Sequence, residues 1–146
     1  MAAKEGKFRG HWSSYTYGSA IHGQAKIKFI EKDIIDLTLI YAPNSVFRAN
    51  QHIKFRFNIT RNEQELYGSL NHASAQQVFI KIQLKEPVFR GEYLSLNPYD
   101  YGSINMSDAS LCDYILKHVP DTGAIEPEVF ERDQMCRNSK SCCILL

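Results

Sequence analysis

Apolar and polar positions alternate along most of the chain, and the alternation defines its elements. From Gly23 to Phe29, Ala25, Ile27 and Phe29 share one face while Gln24, Lys26 and Lys28 share the other, the pattern of a half-buried strand. After the polar turn Glu31-Lys32-Asp33, Ile35, Leu37, Leu39 and Tyr41 oppose Asp36 and Thr38, which makes the second arm of a hairpin. Pro43 ends it, since proline lacks the donor that a ladder needs. The cleanest alternation is His52 to Arg61, where Ile53, Phe55, Phe57 and Ile59 interleave with Lys54, Arg56, Asn58 and Thr60. Leu66 to His72, Val78 to Leu84, Val88 to Leu96 and Tyr101 to Met106 continue the series, with Gly68 marking a bulge or a close approach to a neighbour.

With the leading stretch Lys7 to Gly18 this makes about eight short strands and no intervening helix, an antiparallel meander. Closure removes the edges of such a sheet, so the pattern predicts an up-and-down barrel, with a β-sandwich as its rival. Past Met106 the period changes. Ser107 is an N-cap candidate, Asp108 suits the first turn, and Leu111, Tyr114 and Ile115 share a face before Pro120. One helix, packed outside the barrel or across a mouth, is expected here. Asp121 to Leu146 has weak periodicity; a short helical turn over Glu128 to Asp133 and an extended tail from Arg137 are expected. The fold class is therefore all-β, an eight-stranded antiparallel barrel with one C-terminal helix and a flexible tail, divided into 1–120 and 121–146.

Composition narrows the function classes. A hydrophobic content of 44% with 23% charged residues is ordinary for a globular domain, and a net charge of +1 without a basic stripe argues against nucleic acid as a partner. No apolar run is long enough to span a bilayer and no signal peptide precedes Phe8, so a cytoplasmic start is expected. Ala2 after Met1 excludes N-myristoylation. Cys112, Cys136, Cys142 and Cys143 cluster late, in neither the spread of a disulfide scaffold nor the spacing of a zinc site. No metal and no cofactor are expected.

Gly10-His11-Trp12 at the head of the meander matches the G-x-W pattern, and with the late helix the chain resembles the lipocalin-like, or calycin, barrels over residues 7 to 119. The resemblance implies that Trp12 plugs the closed end. It also departs from that group: Tyr101 to Met106 holds no arginine to pack over the tryptophan, and the later biotin-stacking tryptophans of the avidin branch have no counterpart. At the other end, Cys143-Ile144-Leu145-Leu146 resembles a C-a-a-X prenylation box of the geranylgeranyl kind, with Cys142 as a palmitoylation site, and the ending RNSKSCCILL resembles the tails of small GTPases. That implies a peripheral protein on the cytosolic leaflet, in a eukaryotic cell or delivered into one.

An eight-stranded barrel is wide enough to be filled by its own side chains or to hold one small ligand. Phe29, Leu37, Leu39, Phe55, Phe57 and Tyr93 serve either reading. Tyr15, Tyr17, Phe55, Phe57, Tyr67 and Tyr93 form the candidate ligand-binding set. His11, His22, His52, His72 and His118 are scattered without a catalytic motif, although His22 and His52 with Tyr15, Tyr17 and Tyr67 could converge at a mouth. The reading is a non-enzymatic, membrane-tethered binder of a small apolar or amphipathic ligand. The alternatives are a protein-interaction module or host-directed bacterial effector with a filled barrel, and a barrel isomerase or lyase.

Overall fold

A computed structural model describes residues 6–70, 77–84 and 89–138. Eight strands follow in chain order: β1 Lys7–Ser14, β2 His22–Glu31, β3 Ile34–Tyr41, β4 His52–Arg61, β5 Glu65–Leu70, β6 Val78–Gln83, β7 Phe89–Leu96 and β8 Tyr99–Met106. Each pairs antiparallel with the next, and β1 pairs with β8, closing an up-and-down barrel compatible with a calycin-like fold. The sandwich alternative is excluded by that last pairing. Strand register follows the alternation: Ala25↔Leu39, Ile27↔Leu37 and Phe57↔Leu70 pair inner face to inner face. A slip of one residue would turn every one of these side chains to solvent.

Glycines, Gly10 and Gly23 among them, let strands approach closely on the inner face. A Cβ on Gly10 would lie 2.4 Å from the Asn105 carbonyl oxygen, and one on Gly23 would lie 1.8 Å from that of Ile40. The glycine of the G-x-W motif thus serves the β1–β8 seam, where the barrel closes.

Helix α1, Ser110–His118, covers the end of the barrel at which β1 begins and β8 finishes. Leu111 and Ile115 are fully buried, Tyr114 meets Phe8 and Phe29 with ring centroids 5.4 and 4.8 Å away, and the Cys112 thiol lies 3.1 Å from the Leu84 carbonyl oxygen. The helix starts later than expected. Ser107 donates its hydroxyl to the Arg9 carbonyl, and the Asp108 carboxylate accepts the Ser110 N–H at 3.0 Å.

A second helix, α2, occupies Glu128–Asn138, where one turn and then an extended tail were expected. It is anchored by single residues. The Phe130 ring packs against Phe79, while Asp133 accepts hydrogen bonds from Tyr99 Oη at 2.8 Å and Arg137 Nε at 2.7 Å. Residues 139–146, including Cys142 and Cys143, lie outside the described residues. No described helix is long and apolar enough to cross a membrane.

Candidate functional site

The barrel is filled toward α1 and hollow toward the opposite end. Ile27, Ile35, Phe57, Ile59, Ile80 and Ile82 are each at most 3% exposed and plug the helix-capped half. Arg61, the last inward position of β4, is 6% exposed there and donates from Nε to the Val119 carbonyl at 2.8 Å, which ties the barrel wall to the end of α1. This satisfies part of a guanidinium that would otherwise be costly to bury.

At the other end a cavity of about 940 Å³ opens among the 15–21, 42–51 and 97–98 connections. Its wall carries Leu37, Leu39, Ile53 and Phe55, all inner-face residues of the hairpin and of β4. Trp12 lines the cavity as well. The plugging role expected of it falls to Phe8, Phe29 and Tyr114, because β1 runs from the capped end at Lys7 to the open end at Ser14, which puts Trp12 in the hollow half.

The polar groups of the cavity gather around Asp100, the second residue of β8. Its Oδ1 accepts the Ser14 hydroxyl at 2.8 Å and its Oδ2 accepts the Tyr93 hydroxyl at 3.0 Å. Ser14 Oγ in turn accepts the Tyr17 N–H at 3.0 Å. Burial holds the Asp100 carboxyl above the usual carboxylate range, and these hydrogen bonds only partly offset it. The Tyr93 phenol is pushed far up, first by burial and then by the Asp100 charge. Tyr41 is raised by burial too, with the Arg48 charge acting against the shift and Asp100 reinforcing it. Arg48 and His52 lie at the rim, Arg48 stacked over Phe47 with its guanidinium carbon 4.8 Å from the ring centroid.

The structure brings part of the expected ligand-binding set together. Tyr17, Phe55 and Tyr93 line the cavity. Phe57 is fully buried one level deeper, paired with Phe55 at 6.0 Å between centroids. Tyr15 is exposed and packs against Tyr101. Tyr67 projects from the outer face of β5, buried beneath the 120s segment, where its hydroxyl meets Asn62. Of the histidines, His52 lines the cavity, whereas His22 pairs with Ser13 at the start of β2 and is not among the lining residues.

Sequence reasoning missed Trp12, Tyr41 and Asp100 as cavity residues. Alternation did place Tyr41 inward, and the register Ser95↔Asp100 would place Asp100 inward once the β7–β8 turn is known to be two residues long. Among the described residues no cluster of three histidine, cysteine or acidic side chains is arranged to hold a metal ion. No family model, no curated protein and no solved structure matches this chain.

Proposed function

We propose that the chain is a binder of one small apolar or amphipathic molecule, carried to the cytosolic face of a membrane by a prenyl group on Cys143. The observation that supports binding is the 940 Å³ cavity, which lies within the range of roughly 300–1,000 Å³ typical of small-molecule sites. Its wall of Leu37, Leu39, Ile53 and Phe55 would gain about 25 cal/mol for each Å² of apolar area taken from water. Tyr17, Tyr93 and Asp100 provide the few polar groups that orient a bound molecule.

Mass spectrometry of the native protein and of its organic extract is the test. A stoichiometric small molecule is expected, displaced when Leu39→Trp fills the cavity; an empty protein that binds no apolar probe would sink the reading. Lipidation rests on the Cys143-Ile144-Leu145-Leu146 pattern and has its own test. Cys143→Ser should move the chain from membranes to cytosol in eukaryotic cells, and an unchanged distribution counts against prenylation.

A second reading, a barrel isomerase or lyase, draws on His52, Tyr93 and Asp100 lining one cavity. Chemical change in an extracted ligand on prolonged incubation, abolished by Asp100→Asn, would favour it.

A further inference from the structure

Asp100 is a partly buried carboxylate set among aromatic rings, and no ion pair among the described residues neutralises it. Its hydrogen-bond partners are neutral, the Ser14 and Tyr93 hydroxyls with Thr16 and the Tyr101 backbone beside them. These neutral donors leave the carboxylate's negative charge in place, so a cation approaching it is attracted without having to displace one of them. Three aromatic rings stand on the same side of the cavity. Trp12 meets Tyr41 at 4.8 Å and 77°, and Tyr93 at 6.2 Å and 72°, so the rings lie at steep angles to one another. The Tyr93 hydroxyl reaches Asp100, and Tyr41 lies within the field of the same carboxylate.

Resting on the binder reading above, we infer that Asp100 with Trp12, Tyr41 and Tyr93 forms an ammonium-recognition site, and that the ligand of the barrel is a cationic amphiphile with an aliphatic body. The physical reasons converge. An anion held in a partly desolvated pocket is stabilised by a bound cation, whereas an anionic ligand would meet like-charge repulsion at short range. Aromatic faces attract ammonium groups, most strongly when methylated and desolvated. Leu37, Leu39, Ile53 and Phe55 then receive the aliphatic part. Arg48 carries the opposite charge, but it lies exposed at the rim, stacked on Phe47, where solvent and salt screen it. Asp100, bonded to Tyr93, sets the preference at that end of the cluster, although at Tyr41 the Arg48 charge acts more strongly than that of Asp100.

The test is calorimetric titration of the full chain with octyltrimethylammonium, octanol and octanoate, which share one alkyl length. The cation should bind about tenfold or more tighter than octanol, and octanoate should bind most weakly. Asp100→Asn should bring the cation to within about twofold of octanol, the ratio of the two affinities being the readout. Arg48→Ala should leave the cation preference in place. Equal binding of cation and alcohol, or tighter binding of octanoate, overturns the ammonium site while the cavity reading stands; binding of none of the three overturns both. Should Asp100→Asn fail to fold, Tyr41→Leu and Trp12→Leu should each reduce the cation's advantage over octanol several-fold, and an unchanged ratio in both sinks the proposal.

Discussion

Trp12 and Tyr41 meet edge to face inside the barrel, with ring centroids 4.8 Å apart and planes at 77°, at the wall of the cavity rather than at its sealed base. Trp12 is the only tryptophan of the chain and is 2% exposed, so its fluorescence reports on this one place. Its emission should be blue-shifted relative to a solvated indole, and should change in intensity when a nonfluorescent alcohol such as octanol enters. A steady-state titration checks this. Emission at the wavelength of free indole would show that the ring is not held as described.

Glycine positions separate two kinds of backbone constraint. Gly23→Ala drives a methyl group to 1.8 Å from the Ile40 carbonyl oxygen across the β2–β3 ladder, and should cost roughly 3 kcal/mol because backbone, not a flexible side chain, must move. Gly18→Ala meets no atom within 4 Å but sits at φ +68°, and should cost only about 1 kcal/mol of left-handed strain. Urea denaturation of both variants measures the difference. Equal losses would mean that the β2–β3 spacing is not as close as described.

Two carboxylates set opposite pH trends. Asp36, paired with Arg56 through Oδ1 at 2.7 Å and Oδ2 at 3.0 Å, is held below its ordinary value first by that hydrogen bond. The unfolded chain therefore binds this proton more readily, so the stabilisation is full above the ordinary value of 3.8 and is lost as pH falls through the lower folded value. Asp100 is raised by burial, so the folded chain binds its proton more readily, and the penalty present at neutral pH is relieved as pH falls through the folded value. Asp36→Asn should flatten the acid limb of the stability profile and Asp100→Asn should steepen it. Arg56 is half exposed, so high salt should shrink the Asp36 effect. Denaturation midpoints between pH 7 and about 2, at low and high salt, check both signs.

The barrel was legible because every strand has one buried face, and a period of two survives in the sequence wherever that holds. His52 to Arg61 shows it most clearly: the alternation runs on to Arg61, although a buried arginine breaks the apolar pattern at its inward position. Helix α2 was illegible for a related reason. Only Phe130 and Asp133 are buried along its length, and one of those is charged, so no apolar stripe of period 3.6 exists to be read. The cavity was half legible: alternation placed Phe55 and Tyr93 inward, but which inward residues touch each other and which face empty space depends on how far each lies from the α1 cap. Tyr67 illustrates the limit. It lies on the outer face and is nonetheless buried, because the segment around Ala124 folds back over it.

Helix α2 braces the barrel wall beside the cavity, through Tyr99. Tyr99 borders the cavity, and its side chain turns outward: the ring meets Tyr101 with centroids 6.2 Å apart and the hydroxyl donates to Asp133 of α2 at 2.8 Å, while Asp133, 2% exposed, also takes Arg137 Nε at 2.7 Å. Tyr99→Phe removes one donor and leaves Asp133 its arginine, so it should cost about 1 kcal/mol. Asp133→Ala strips both partners of their acceptor and should cost more, about 2–3 kcal/mol. The closed barrel does not depend on this bond, since its β1–β8 seam is formed by backbone pairing from Gly10↔Met106 to Ser14↔Gly102. Both variants should therefore keep the strand signal in far-ultraviolet dichroism and unfold at lower urea concentration, with Asp133→Ala the lower. A Tyr99→Phe loss equal to that of Asp133→Ala would place the whole effect on the tyrosine and leave Arg137 without a role.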